Sequence, residues 1–492
     1  MKKKIQNVAF HNLGCKVNSY ELDVVQQKFE EKGYCIVPFD ENADIYIVNT
    51  CTVTNIADRK SRQMLHQAKK RNPDALVVAL GCYVQTDSEQ VKLDPCIDLA
   101  IGNNRKKDTV EIVEDYLAKK EQGSYGADAG NKVPALEAAG CQDKPTQNRA
   151  VIDIGHTNEY EEMQLKKTGE HTRAYIKIQD GCNQFCTYCI IPFARGRVRS
   201  RQPEDIRSEI EGLVRAGYRE FVLTGIHISS YGVDFEPDHF KETELSAETN
   251  KETVAYGKGI SRLEELIDFV HGIDGVERIR LGSLEPRVVT EGFARHLSGL
   301  PKICPHFHLS LQSGCDETLR RMNRHYTTEE YRRGVEYLRK YFDAPAITTD
   351  VIAGFPGETE EEFRQTVEFL SDIQFFEMHI FPYSLRKNTV AATMSGQIDG
   401  SVKKKRAHEL LLLEQKQSLA YRQSFIGKEE TVLLEEQKEI NGNRYMIGHT
   451  TRYVKAAKRM DDKMAEKELS GQIVTGRLKG MLTDEILELE DC

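Results

Sequence analysis

The sequence contains no tryptophan and no run of roughly 18 apolar residues, the length that would span a bilayer. Its first residues, MKKKIQNVAF, include lysines but no apolar segment behind them, so we expect no secretory signal. The lack of a membrane-length apolar run and of a signal-like segment argues against a membrane-anchored or exported protein. We therefore expect a cytoplasmic protein.

Cysteine, by contrast, is plentiful, with 12 among 492 residues. Cytosolic thiols stay reduced, and a chain of this length needs no disulfides for stability, so these cysteines are free to bind metal. The formal net charge of -9 argues against a generally basic nucleic-acid binder, although local basic patches on an acidic protein still bind phosphate. Composition therefore leaves nucleic acid open as a partner.

The hydrophobic pattern predicts an α/β chain of three domains. Over 1–120, short apolar runs alternate with amphipathic stretches, which is typical of an open parallel sheet flanked by helices. A composition rich in Gly, Ala and Asn then predicts a linker over 121–167. Residues 168–425 show six strand-like runs separated by five helical segments, which predicts a partial (β/α)6 TIM-like barrel. The polar segment 234–259 within it predicts a surface insertion.

The remaining residues, 426–492, are short β-prone pieces separated by turns, which predicts a small antiparallel β-barrel of the OB-like kind. Basic residues there are candidates for RNA contact, namely Arg452, Lys455 and Arg477. The alternative is that they form a solvated basic face.

Three cysteines are crowded into the segment DGCNQFCTYCIIPFARGRVRSR: Cys182, Cys186 and Cys189. A structural zinc site needs four ligands, and this segment offers no fourth. An iron-sulfur cube held by three thiolates leaves one iron without a protein ligand, free to bind a small molecule. The motif follows the first predicted barrel strand, so we expect it at the carboxyl-end mouth of the barrel. A zinc knuckle is the alternative.

The spacing CNQFCTYC resembles the CxxxCxΦC signature of radical S-adenosylmethionine enzymes, with Tyr188 in the aromatic position. The resemblance implies a [4Fe-4S] cluster that binds S-adenosylmethionine and generates a 5′-deoxyadenosyl radical. It also implies that residues at the ends of the barrel strands contact this cofactor. Besides Tyr188, they are Thr224, Gly225, Ser283, Glu285, Gln312, Asp350 and Gly354. Each polar one among them has the alternative of being a hydrogen-bonded core residue.

A second set of cysteines, Cys15, Cys51 and Cys82, follows three predicted strands of the amino-terminal sheet. Open α/β sheets gather their ligand sites at the carboxyl ends of the strands, so these cysteines converge on one edge. Spacing alone leaves a cluster and buried structural cysteines as equal alternatives. The segments LGCKVNSYE, NTCTVT and GCYVQ, however, resemble those of the methylthiotransferase family, which implies a second [4Fe-4S] cluster here. The carboxyl-terminal part is similar to the RNA-holding TRAM domain of that family.

Further segments, including TGIHISSYG and HFHLSLQSGCDETLRRMNRHYTTEEY, look most like the branch that modifies threonylcarbamoyladenosine in tRNA. The implied reaction places a methylthio group on C2 of N6-threonylcarbamoyladenosine next to the anticodon. A second S-adenosylmethionine supplies the methyl group, and the implied partners are an electron donor such as flavodoxin or ferredoxin and a sulfur source. The alternatives are isopentenyladenosine in tRNA or a ribosomal protein as substrate, and a non-catalytic RNA-binding iron-sulfur or zinc protein.

Four alternate arginines follow the central cysteines: Arg195, Arg197, Arg199 and Arg201. In an extended segment they point the same way, so we expect a stripe that binds RNA phosphates. A solvated charge run before the next helix is the alternative. One departure from the family pattern is Asn388, where glycine is usual; asparagine tolerates a left-handed backbone if the position requires one.

Overall fold

The computed structural model describes residues 6–121, 149–167, 172–235, 261–460 and 469–491. The elements of its amino-terminal part are β1 (Asn7–Asn12), α1 (Lys16–Glu31), β2 (Cys35–Val37), β3 (Ile45–Thr50), α2 (Asn55–Arg71), β4 (Leu76–Gly81), α3 (Cys82–Thr86), α4 (Ser88–Leu93), β5 (Leu99–Ile101), α5 (Thr109–Glu121) and β6 (Arg149–Ala150). The six strands form one parallel sheet in the order β2-β1-β3-β4-β5-β6.

Both faces of this sheet are buried. Along β3, Ile45 and Ile47 pack in the core that includes α1, and Tyr46 and Val48 in the core that includes α2. This is why the strand reads as a continuous apolar run and not as an alternation. The predicted sheet is confirmed, but β6 comes from the segment predicted as linker; residues 122–148 of that segment lie outside the described part of the chain.

The central domain supplies the six predicted barrel strands. Its elements are β7 (Ala174–Lys177), β8 (Gln179–Asp180), α6 (Ile191–Arg195), β9 (Arg199–Ser200), α7 (Pro203–Arg215), β10 (Glu220–Thr224), α8 (Arg262–His271), β11 (Arg278–Leu281), α9 (Glu291–Ser298), β12 (His306–His308), α10 (Asp316–Arg321), α11 (Thr328–Tyr341), β13 (Ala346–Ala353), α12 (Glu360–Ile373) and β14 (Glu377–Pro382). The five predicted helices are α7, α8, α9, α11 and α12, whereas the short helices α6 and α10 were not predicted. The insertion predicted at 234–259 lies outside the described residues from 236 onward.

These strands form two parallel three-stranded sheets, β7-β10-β11 and β12-β13-β14. Two isolated bridges, Ile279 with Ile303 and Leu284 with Leu309, join the sheets across the gap between β11 and β12. The result is an incomplete barrel whose interior is a lumen. Within the described residues β7 does not pair with β14, and α1 of the amino-terminal domain packs against β7.

Local sequence fixes where several barrel helices begin. Ser261, Thr327 and Thr359 each accept a hydrogen bond from the backbone three residues on, and the glutamate at that position bonds back. These capping boxes satisfy amide groups that a helix start leaves free. They set the starts of α8, α11 and α12, and so hold the helices in place around the lumen.

The carboxyl-terminal part comprises α13 (Gly400–Gln423), β15 (Glu429–Ile440), β16 (Asn443–Thr450), β17 (Lys455–Arg459), β18 (Ile473–Met481) and β19 (Ile486–Asp491). The strands close into the predicted barrel in the order β15-β16-β17-β19-β18. The expectation that it is wholly antiparallel needs one correction, because β17 and β19 pair in parallel. A closed ring of five strands cannot alternate direction throughout. No helix in the described ranges is long and apolar enough to cross a membrane.

Candidate metal centres and active site

The amino-terminal cysteines follow neighbouring strands. Cys51 and Cys82 come directly after β3 and β4, and Cys15 lies in the turn between β1 and α1. The turn is tight: Gly14 has φ +114, and a Cβ added to it would lie 3.2 Å from Cys51 Sγ. Because β1, β3 and β4 are neighbours in the parallel sheet, the strand order places the three cysteines at its carboxyl edge, as predicted.

The three thiols also influence one another. Burial, followed by the negative charges of Cys82 and Cys15, raises the pKa of Cys51 to about 11. Asn103 Nδ2 lies 3.5 Å from Cys82 Sγ and donates to it. Thiolates that repel each other in a partly buried site are stabilised by a metal centre, which deprotonates its thiol ligands. This donor set fits a metal cluster.

The central cysteines lie on the loop between β8 and α6. Gly181 begins this loop with φ +73, where a Cβ would come within 1.8 Å of the carbonyl oxygen of Arg197. Backbone hydrogen bonds from Cys182 to Gly196 O, 3.0 Å, and from Cys189 to Cys186 O, 2.9 Å, fold the loop back on itself. The three cysteines therefore share one compact turn.

Burial, then the charge of Cys186, raises the pKa of Cys189 to about 12. The pKa of Cys182 is raised to about 11, again mainly by burial. In neither cysteine set do all three sulfur atoms lie within 4.8 Å of one another. A single tetrahedral zinc ion would hold its sulfurs about 3.8 Å apart, whereas a cubane binds each thiolate through a different iron. Neither cysteine set therefore has the close sulfur spacing of a mononuclear zinc site.

Tyr188 lies beside this turn and packs among apolar side chains. Its ring meets that of Phe355 at 6.4 Å, and Met322 and Tyr383 belong to the same cluster. Thr187, next to it, donates its backbone N–H to Met322 O at 3.0 Å. The aromatic position thus anchors the cysteine turn to the barrel wall.

The other predicted cofactor residues lie at or near the carboxyl ends of the barrel strands. Thr224 ends β10 and is buried, and Gly225 lies against Gln179. Beyond β11, Ser283 is exposed, and Glu285 is buried. One carboxylate oxygen of Glu285 accepts from Arg287 at 2.8 Å, while the other has no hydrogen-bond partner in the described part of the chain.

The last three predicted cofactor residues belong to the far side of the barrel. Gln312 has φ +70 and bridges to β13, donating its N–H to Asp350 O at 2.9 Å. The carboxylate of Asp350 lies 3.4 Å from His308 Nε2. Gly354 has φ +74 and donates its N–H to Glu358 Oε2 at 2.8 Å. The contacts of all seven residues with a cofactor remain predictions.

Two residues at the mouth were missed by the sequence reasoning. Arg324 Nη1 donates to Cys186 Sγ at 3.3 Å, and its guanidinium lies 4.8 Å over the ring of Tyr326. His227 is held by Ser230 Oγ, 2.7 Å from Nδ1, and its buried Nε2 has no hydrogen-bond partner among the residues that the structure describes. Burial, then the charge of Arg324, lowers the pKa of His227 to about 4. Arg324 lies in the quoted segment RMNRHY, which was the one available indication.

The predicted stripe of four arginines is wrong at three positions. Arg195 ends α6, so the segment is not extended throughout, and Arg195, Arg199 and Arg201 are buried. Arg201 pairs with Glu209, and Arg195 with carboxylates on α1 and β8. Only Arg197 is exposed, with its guanidinium 4.5 Å over the ring of Phe185. Its contact with RNA remains a prediction.

The basic residues of the carboxyl-terminal barrel also differ in their exposure to solvent. Arg452 does not face solvent as predicted: it is 15% exposed, pairs with Glu430 Oε1 at 2.9 Å and donates to the backbone carbonyl of Asp343, which docks the barrel onto the central domain. Lys455 is partly exposed beside Glu485, and Arg477 is exposed on β18. RNA contact by these two remains a prediction.

Tyr453 lies at the amino-terminal end of the barrel. Its ring stacks on His306 at 4.8 Å and on His449 at 4.4 Å. Arg173 and Arg280 lie over the same ring, at 5.0 and 4.9 Å. The lumen therefore has the cysteine turn at one end and this aromatic-cation stack at the other.

Asn388, the departure from the family pattern, has φ +66. This is the left-handed region, where glycine is favoured and asparagine is the next best residue. The neighbouring Arg386 donates to Thr52 Oγ1 at 2.6 Å and pairs with Asp58. The loop thus keeps its contact with the segment that follows Cys51.

A partial parallel barrel with three cysteines at its mouth defines a radical S-adenosylmethionine enzyme. The chain matches the Radical SAM superfamily over residues 176–370 and the Uncharacterized protein family UPF0004 over residues 7–102. Among solved structures it resembles the radical S-adenosylmethionine methyltransferase TsrM from Kitasatospora setae, with a TM-score of 0.50 and 14% identity, covering 79% of this chain and 74% of that one. This likeness shows the fold.

Curated relatives extend the match to the whole chain. The threonylcarbamoyladenosine tRNA methylthiotransferase MtaB of Bacillus subtilis is 35% identical over 489 residues, which is 98% of each chain. The protein of the same name from Aquifex aeolicus is 37% identical, covering 89% of this chain and 95% of its own. The tRNA-2-methylthio-N(6)-dimethylallyladenosine synthase of Pelotomaculum thermopropionicum is 31% identical, covering 91% and 89%. The chain belongs to the methylthiotransferase family of radical S-adenosylmethionine enzymes.

Proposed function

We propose that the protein is a tRNA (N6-L-threonylcarbamoyladenosine-C2)-methylthiotransferase. It transfers a methylthio group to C2 of N6-threonylcarbamoyladenosine next to the anticodon, giving 2-methylthio-N6-threonylcarbamoyladenosine. The observation that carries the proposal is the pair of three-cysteine sets in adjoining domains, at the edge of a sheet and at the mouth of a barrel. Two relatives named for this reaction match at 35% and 37% identity and a third at 32%, against 31% and 33% for two relatives named as dimethylallyladenosine synthases.

The residues present fit two [4Fe-4S] clusters and S-adenosylmethionine. Cys182, Cys186 and Cys189 would hold the first cluster, and Cys15 and its two partners the second. Replacing an unactivated C2–H bond needs more than acid-base catalysis; when bound, these groups supply the radical, the sulfur and the methyl group. Three thiolates per cluster leave one iron of each without a protein ligand.

The side chains around the mouth have separate tasks. Arg324 places a positive charge and a hydrogen bond on Cys186 Sγ. The free atoms Glu285 Oε2 and His227 Nε2 offer buried polar contacts to a bound cofactor. Arg197 and Arg477 are exposed and would contact the RNA backbone. We further propose a cytoplasmic location, an electron donor such as flavodoxin or ferredoxin, and a separate sulfur source.

The test is mass spectrometry of tRNA nucleosides from cells that lack the protein. The methylthio group on threonylcarbamoyladenosine should disappear, return with the wild-type chain and stay absent with Cys182→Ala. If the methylthio group on threonylcarbamoyladenosine is still present and methylthio-isopentenyladenosine is lost, the result would instead support the other tRNA branch. Anaerobic reconstitution should give about eight irons per chain, since each cube holds four.

A further inference from the structure

A cationic pocket lies in the lumen of the barrel, away from the cysteine turn. It is lined by Lys16, Arg173, Arg280 and His306, with the rings of Tyr175 and Tyr453 beside them. The enclosed part of the space is small, about 10 Å³, which is room for one water-sized group. Among the described residues, no acidic side chain lines it. The pocket therefore presents positive charge to whatever enters the lumen.

The carboxylates behind the pocket do not balance this charge. Glu220 accepts from Arg280 Nε at 2.7 Å and lies 3.3 Å from Arg278 Nη1. Glu435 pairs with Arg173 Nη2 at 2.5 Å. Counting Lys16, four cations thus face two carboxylates, which leaves an excess of positive charge. A buried charge without a partner is costly, so such a pocket favours an anionic ligand.

The Nη1 atom of Arg173 also favours an anionic ligand in the pocket. The residue is only 6% exposed, and its Nη1 has no hydrogen-bond partner among the described residues. The nearest carboxylate oxygen, Glu220 Oε1, is 3.7 Å away. Buried donors normally find an acceptor, because an unmade hydrogen bond in the interior is unfavourable. The N–H of Arg173 Nη1 is therefore available to donate to an anionic ligand in the pocket.

Lys16 supplies the accessible charge. It is the first residue of α1, directly after Cys15, and it is exposed although it lines the pocket. Its ammonium group forms no ion pair or hydrogen bond with the described residues. A lysine in this position reaches a ligand in the lumen without breaking an existing contact.

We propose that Lys16 and the free Nη1 of Arg173 bind the carboxylate of the threonyl group of the substrate nucleoside. This inference rests on the proposed function and names the contact that selects its substrate. Threonylcarbamoyladenosine carries a carboxylate at the end of its N6 substituent, whereas isopentenyladenosine carries a branched hydrocarbon there. The cations of the pocket would pair with the threonyl carboxylate but would stay unpaired if the isopentenyl group were bound. The cost of leaving charged groups unpaired discriminates between substrates more strongly than a difference in apolar contact. Lys16 is thus a specificity-determining residue beside the amino-terminal cysteines.

The experiment compares two anticodon stem-loops with the reconstituted enzyme. One carries threonylcarbamoyladenosine, and the other carries the same nucleoside with the threonyl carboxylate converted to the neutral amide. The wild-type enzyme should prefer the acid by about tenfold or more in kcat/KM, which corresponds to about 1.4 kcal/mol. Lys16→Met should raise KM for the acid and abolish the preference, and Lys16→Arg should restore it.

The matched control is Lys32→Met at the other end of the same helix. Lys32 is half exposed and lies 3.6 Å from Glu114, away from the lumen. It should keep the wild-type preference. Lys32→Met should also keep the wild-type iron content and S-adenosylmethionine cleavage without RNA. Iron content measured in both Lys16 variants separates loss of substrate binding from damage to the cluster next to Lys16.

The outcomes separate the two proposals. If the wild-type enzyme methylthiolates acid and amide equally, or if Lys16→Met keeps the preference with normal iron content, the carboxylate contact is overturned and the proposed function stands. If the wild-type enzyme acts on isopentenyladenosine and leaves both threonyl substrates untouched, the proposed function fails and the contact with it.

Discussion

Arg195 and Glu21 form a buried two-pronged ion pair, in which Arg195 Nη1 donates to Glu21 Oε1 at 2.8 Å and Nη2 to Oε2 at 3.0 Å. Glu21 lies on α1, shortly after Cys15, and Arg195 ends α6, shortly after Cys189. Lys106 and Lys177 also bind the Glu21 carboxylate. One buried anion therefore ties both cysteine segments to the same point.

Replacing this anion should loosen both domains. We expect Glu21→Gln to lower the free energy of unfolding by about 3–5 kcal/mol, because it leaves three buried cations short of a partner. Urea denaturation followed by circular dichroism measures it. Glu31→Gln is the matched control on the same helix, where the pair with Lys166 is exposed and is worth less than about 1 kcal/mol. Equal effects of the two substitutions would contradict the role of the pair.

Substitutions in the two cysteine sets should affect different parts of the reaction. Cys182→Ala should abolish cleavage of S-adenosylmethionine, whereas Cys15→Ala should spare cleavage and lose methylthio transfer. Each should retain about half of the iron of the wild-type chain. Cys35→Ser, at an exposed position on β2, is the control and should change neither. A methylthiolated product from Cys15→Ala would refute the division of tasks.

Acid should weaken the docking of the carboxyl-terminal barrel, because Glu220 pairs with Arg278 and Arg280, which donate to backbone carbonyls of that barrel. Burial by itself would raise the pKa of Glu220, but Arg280 and the neighbouring arginines lower it to about 2. Since the folded pKa lies below the unfolded value of about 4.3, the stabilisation is complete above that pH and is lost as pH falls towards 2. Its size is about 3 kcal/mol.

The measurement is the free energy of unfolding between pH 5 and pH 2.5. Glu220→Gln should lower stability at neutral pH and flatten the acid dependence. Glu277→Gln, an exposed glutamate near Arg219, should leave the wild-type profile in place. A wild-type profile with Glu220→Gln would show that this carboxylate does not carry the effect.

RNA binding should depend on Arg477. Removing one phosphate contact weakens binding to all tRNA sequences alike and reduces the slope of log affinity against log salt by about 0.7–0.9. Filter binding of Arg477→Met over a salt series measures both. Arg364→Met, an exposed arginine on the outer helix α12 that pairs with Glu361 and Glu368, should keep the wild-type slope. An unchanged slope for Arg477→Met would remove β18 from the RNA surface.

The sequence was most informative where chemistry and strand order coincide. The central three cysteines were singled out by their close spacing and the amino-terminal three by their positions at the carboxyl ends of parallel strands. The barrel was predicted because its apolar runs alternate with amphipathic helices. The buried arginines were misjudged because charged residues are normally exposed. The partner that makes burial of Arg195 possible is Glu21, which is distant in sequence. Likewise, nothing near Arg324 in the chain indicates that it bonds to Cys186.

Tyr453, which stacks on His306, belongs to the carboxyl-terminal barrel and lines the pocket in the lumen. One wall of that pocket is therefore supplied by a separate domain. A chain shortened to its first two domains would keep all six predicted cysteine ligands and lose this wall.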